Sequence, residues 1–110
     1  MSVSETSVVD AIGVEEATGV VVLTVSDHLE WGDTGAHLAT LQAKLNRYLA
    51  FLESGEILVS YPASQGRETR IDVVFQSDPP HDARAFLANA AATIRQAGFT
   101  LSWRVHREAG

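Results

Sequence analysis

The stretch VVVLTVSDHLEWGDTGAHLATLQAKLNRYLAFLESG, residues 20–55, decides the fold. It opens on the β-branched run Val20–Ser26, passes through a polar loop and then enters a long periodic segment. There Leu38, Leu41, Leu45, Tyr48, Leu49 and Leu52 recur at three- and four-residue steps. That period places apolar side chains on one face of an α-helix. A helix is expected near residues 35–54, with Asp33 or Thr34 as its cap and Gly55 as its stop. Gln42, Asn46, Arg47 and Glu53 fall on its other side.

Upstream, Val8–Val14 alternates as a strand, and Glu15-Glu16-Ala17-Thr18-Gly19 joins it to the run at Val20. A five-residue connection ending in Gly predicts a β-hairpin. Downstream, residues 56–66 carry no single regular reading. Ile57-Leu58-Val59 is apolar, but Tyr61-Pro62 and Gly66 interrupt it. Arg67–Gln76 reads as a strand with Ile71, Val73 and Phe75 on one side. Asp78-Pro79-Pro80 is expected to open a second helix, with Asp78 as cap and Pro at the first helical position. Phe86, Leu87, Ala90, Ile94 and Ala97 form its stripe, and Gly98 ends it. Phe99–His106 alternates again as a last strand, with Phe99, Leu101, Trp103 and Val105 in phase.

The order is ββαβαβ. It predicts an α+β fold of two layers: a mixed four-stranded sheet with two helices on one face. Right-handed crossovers favour strand order 1-2-3-4 with the first strand antiparallel, a split order being the alternative. One domain is expected over residues 8–107, preceded by a Ser/Thr-rich, disordered N-terminus at 1–7. The uncovered sheet face would then carry Arg70, Asp72, Gln76, Thr100, Ser102, Arg104 and His106, with Val74 as an apolar point among them. Such a face is either solvated or a partner surface, for which Arg70, Asp72, Arg104 and His106 are the candidates. Alternation of Arg70 with Asp72 is the pattern of cross-strand ion pairing.

The chain has 110 residues, 45% of them apolar and 20% charged, as expected of a globular domain. Without Cys it can form no disulfide, zinc–thiolate site or thiol nucleophile. The net charge of −6 is unevenly placed. Residues 1–33 hold seven acids and no Lys or Arg, whereas the rest hold seven acids against eight bases. An acidic surface repels phosphate backbones and anionic lipid, so neither nucleic acid nor membrane is the expected partner. The start lacks a basic, apolar leader and no apolar run could span a bilayer, so a cytoplasmic location is expected.

The densest polar segment is Ser26-Asp27-His28-Leu29-Glu30-Trp31-Gly32-Asp33, with His37 just beyond. Asp27, His28, Glu30, Trp31 and His37 are the candidate ligand-binding residues, since clustered imidazoles and carboxylates can bind a metal or move protons. Their spacing matches neither an H-E-x-x-H motif nor a calcium loop. Each also has an ordinary role available. Ser26 and Asp27 suit a turn, Asp33 or Thr34 a helix cap, and Trp31 can pack over the sheet end. A phosphate-binding glycine loop and a nucleophile elbow are both absent, and no catalytic residue, metal site or cofactor is assigned. Phe75 and Trp103 fall on the buried phase, which argues against an RNA-binding sheet with exposed stacking aromatics.

Val9-Asp10-Ala11-Ile12-Gly13, Ser26-Asp27-His28-Leu29-Glu30-Trp31 and Glu53-Ser54-Gly55-Glu56 together resemble a family of small bacterial proteins of unknown function. Tyr61-Pro62, Gly66-Arg67 and Ala97-Gly98-Phe99 extend the likeness over about residues 8–105. The resemblance implies a single-domain protein and carries no activity with it. Two functions stay open: a non-catalytic interaction module (homodimer, adaptor or small inhibitor of a basic partner), or a ligand- or metal-binding protein, even an enzyme, using the 26–37 loop.

Overall fold

The computed structural model describes residues 11–106. The expected disordered stretch at 1–7, the start of the first strand at Val8–Asp10, and residue 107 lie outside them. Four strands, β1 (Ala11–Val14), β2 (Val21–Asp27), β3 (Thr69–Phe75) and β4 (Thr100–Val105), form one sheet in the order β1-β2-β3-β4. β1 runs antiparallel to β2, while β2, β3 and β4 are parallel. The helices are α1 (Thr34–Glu53), α2 (Glu56–Ser60) and α3 (His81–Gln96), and a 3₁₀ turn lies at Pro62–Ser64. The fold is thus the expected α+β arrangement with its mixed sheet, in the unsplit strand order.

The pleat explains the layering. Val21, Leu23, Val25, Ile71, Val73 and Phe75 are wholly buried on the helix-facing side. Leu101, Trp103 and Val105 of β4 pack against that core from the edge, half-buried. From α1 come Leu41, Leu45, Tyr48, Phe51 and Leu52, and from α3 Ala83, Leu87 and Ile94. Burying a large apolar side chain stabilises by about 1.5–3 kcal/mol, so this interface is the main force holding the two layers together.

Three local expectations are corrected. The buried face of α1 is His37, Leu41, Lys44, Leu45, Tyr48, Phe51 and Leu52, while Leu38 and Leu49 are only half-buried. The inward stripe follows helical spacing through residues that a count of leucines passes over. Secondly, α3 is not capped by Asp78. Its N-cap is Pro80, in an extended conformation and with no side-chain cap bond. Each proline keeps the residue before it out of the helical region, so the helix starts only after the second one. Asp78 instead accepts a 2.8 Å bond from Arg84, whose Nε–H donates to the Pro79 carbonyl at 2.9 Å. Thirdly, residues 56–66 contain α2 and the 3₁₀ turn. Gly55 has φ 81° and lets the chain turn from α1 into α2, an angle that disfavours a side chain. Ile57 is buried there, while Leu58 and Val59 face outward.

The hairpin follows expectation. Gly19 takes φ 74° at its end, and the Glu15 N–H donates to the Val20 carbonyl at 2.8 Å.

Candidate functional site

Asp27 ends β2 on the inward phase, two residues beyond Val25, and its side chain is 1% exposed as a residue beside the core. His37 lies one turn before Leu41 on the buried face of α1, itself 4% exposed. The two meet with His37 Nε2 2.6 Å from Asp27 Oδ2. Asp27 Oδ1 accepts the Leu29 N–H at 3.1 Å, the Asx-type bond expected of a turn residue. The other ring nitrogen, Nδ1, lies 3.1 Å from the Glu30 carbonyl oxygen. A carbonyl only accepts, so Nδ1 is the donor in that contact. Both nitrogens of the imidazole and both oxygens of the carboxylate are therefore engaged.

Trp31 closes this arrangement. Its rings stack on His37 with centroids 3.6 Å apart and planes 16° apart. Its other contact is tilted against Phe75 at 5.8 Å, and its Nε1–H donates to the Ser77 carbonyl at 3.0 Å. The loop after β2, the start of α1 and the chain just after β3 are so bound together at one end of the sheet. Asp33 completes the turn by accepting the Ala36 N–H at 3.0 Å, which confirms it as the cap of α1. Chemically the cluster is a brace: buried polar groups that satisfy one another and fix a loop.

His28 and Glu30 are exposed on the same loop. A shallow hollow of about 210 Å³ is lined by Leu29, Glu30, Asp33, Ala36, His37 and Thr40. Among the described residues no three His, Asp or Glu side chains gather as a set that could hold a metal ion. Of the five loop candidates, the structure brings together Asp27, Trp31 and His37 and leaves His28 and Glu30 at the surface.

The uncovered sheet face is a ladder of charged and polar side chains. Arg70 Nη2 donates to Glu15 Oε2 at 3.0 Å, from β3 across to the hairpin. Asp72 on β3 accepts the Ser102 hydroxyl at 3.1 Å and faces Arg104 Nε at 3.5 Å, both on β4. The ion pairing expected from Arg70 and Asp72 is present. Gln76, Thr100, Arg104 and His106 are exposed, and Val74 is half-buried among them. The Glu15 carboxyl is held below the ordinary glutamate range, first by the Thr18 hydroxyl that donates to it and then by Arg70. A hollow of about 430 Å³ opens over the small residues Ala11 and Gly13, with Glu15, Val22, Asp72 and Arg104 around it.

Lys44 was passed over in the sequence. It is wholly buried on α1, with its ammonium 5.4 Å from the Tyr48 ring centroid, and the Tyr48 hydroxyl donates to the Thr24 carbonyl at 2.9 Å. The signal for it was the spacing from Leu41 and Tyr48.

These features define a small two-layer α+β domain with an internally satisfied loop and a polar open sheet. The chain belongs to a family of unknown function, DUF6572, whose family model matches residues 1–107. No curated protein and no solved structure matches the chain. Among the described residues no helix is long and apolar enough to cross a membrane.

Proposed function

We propose that this protein is a non-catalytic interaction module that meets a protein partner through its open sheet face. The observation that carries the reading is the occupation of Asp27 and His37 by each other and by the loop backbone. With both ring nitrogens of His37 engaged inside the protein, neither is free for a substrate proton or a metal. The most chemical residues of the sequence thus act on the fold. The open face instead presents Arg70 paired with Glu15, Asp72 paired with Ser102 and Arg104, and His106 exposed beside them, an alternation of charge suited to recognition.

Site-specific photo-cross-linking in the native cell tests this. A photoreactive side chain replacing Arg104, on the open face, is expected to give a discrete cross-linked species. One replacing Gln42, on the helical layer, is expected to give none. Equal labelling from both positions, or none from position 104, overturns the reading.

A further inference from the structure

We infer that β4 is a self-pairing edge: two copies of this chain join antiparallel along Thr100–Val105, extending the two sheets into one. The inference goes beyond the open-face reading: the joint runs along the β4 edge and meets that face only at Ser102 and Arg104. β4 ends the sheet, and among the described residues no strand lies beyond it. The His106 N–H donates to the Phe75 carbonyl at 2.7 Å, so even-numbered residues of β4 face β3. Residues alternate along a parallel ladder, which leaves the N–H and C=O of Leu101, Trp103 and Val105 directed outward. An open row of this kind is a template for another strand.

The strand is matched to itself. In a two-fold antiparallel pair centred on Trp103, Leu101 lies opposite the partner's Val105 and Trp103 opposite the partner's Trp103. These are the half-buried residues of the helix-facing side, so the pairing extends the apolar core across the joint. On the open face Ser102 lies opposite the partner's Arg104, and Asp72 already accepts the Ser102 hydroxyl. Each Arg104 then approaches a carboxylate in both chains. Moving the register one step sets Arg104 against the partner's Arg104, which like-charge repulsion disfavours. A hollow of about 320 Å³ beside the edge, lined by Ala91, Ala92, Arg95, Thr100 and Leu101, leaves room for the incoming strand's side chains.

Overall charge selects this edge over the other. Residues 11–33, which supply β1 and β2, hold five acids and no Lys or Arg. Pairing through β1 would bring two such segments together. Pairing through β4 puts them at the two far ends of the joined sheet, each about 14 Å of strand spacing from the joint.

Light scattering on the purified full chain is the test. Wild type is expected at twice the 11.9 kDa chain mass, dissociating on dilution. Hydrogen exchange should show Leu101, Trp103 and Val105 amides more protected in concentrated than in dilute protein. R104E, at an exposed side chain, sets a carboxylate against the partner's Ser102–Asp72 pair and should raise the dissociation constant on the order of a hundredfold. S102K/R104E sets opposite charges across the joint and should restore the dimer, which fixes the register. V105P removes an outward N–H that the monomer does not use, and should give single-chain mass with the circular dichroism of a folded protein. A single-chain mass for wild type at every concentration, or a dimer indifferent to R104E and V105P, overturns self-pairing. If that failure is accompanied by a cross-link from position 104 to a different protein, the interaction reading survives; with no such cross-link, it fails as well.

Discussion

His37 Nε2 on α1 and Asp27 Oδ2 at the end of β2 meet across 2.6 Å in the interior of the protein. Ten positions apart in sequence, they join the helical layer to the sheet where the connecting loop leaves it. Breaking a buried pair by removing one partner costs about 3–5 kcal/mol, because the remaining group stays buried without its mate. His37→Ala should therefore lower the unfolding free energy in urea by about that amount. Asp27→Asn should cost less, because the amide oxygen can still accept the Leu29 N–H. In a double-mutant cycle the two changes should be strongly non-additive. Additive effects would show that the pair does not act as a unit.

Trp31 should report on the same brace through packing. Trp31→Phe keeps an aromatic ring against His37 but loses the Nε1–H bond to the Ser77 carbonyl, at a cost of about 1 kcal/mol. Trp31→Ala also loses the stack, worth about 0.5–1.5 kcal/mol beyond its buried area. Denaturation midpoints should fall in the order wild type, Phe, Ala. Amide exchange in residues 28–33 should quicken in the same order. If Trp31→Ala loosens the whole protein and not the loop first, the cluster is core and not a loop brace.

How much of this was legible in the sequence differs from residue to residue. β3 was plain because Ile71, Val73 and Phe75 alternate with Arg70, Asp72 and Val74, a period that only a strand with one covered face satisfies. Asp27 carried a signal that chemistry obscured. It continues the inward series Val21, Leu23, Val25, so the pleat itself points it into the protein. Its partner could not be read, since the meeting with His37 depends on how α1 docks, a tertiary relation without local pattern. The facing of α1 was blurred because Leu38 and Leu49 sit near the edge of the buried stripe while His37 and Lys44 sit within it. Residues 56–66 resisted because a five-residue helix is too short for its period to show.

The hairpin offers a pH-dependent prediction. The Thr18 hydroxyl, and after it Arg70, hold the Glu15 carboxyl below the ordinary glutamate range. A carboxyl whose folded value is depressed stabilises the fold at pH above its unfolded value, and this contribution is lost as pH falls through the folded value. Carbon-detected NMR titration should find Glu15 ionised to lower pH than an ordinary glutamate. Thr18→Val and Arg70→Gln should each raise the Glu15 midpoint. Since the Glu15 side chain is partly open to solvent, added salt should weaken the Arg70 part. A Glu15 midpoint unmoved by either substitution would mean that neither bond persists in solution.

The facing of α1 can be checked with two leucines seven positions apart. Leu45 is 4% exposed in the core, whereas Leu38 is half-buried at its margin. Truncating a buried leucine removes its transfer free energy and leaves a cavity, at about 2–5 kcal/mol. Leu45→Ala should therefore lower stability by about that much. Leu38→Ala, whose site opens partly to water, should cost less than half as much. Phe51→Ala should resemble Leu45→Ala at about 3–5 kcal/mol, since its ring is buried on the same face. Chemical denaturation of the three variants reads the order directly. A loss at Leu38 equal to that at Leu45, with little loss at Phe51, would rotate the helix back to the face that leucine spacing alone predicts.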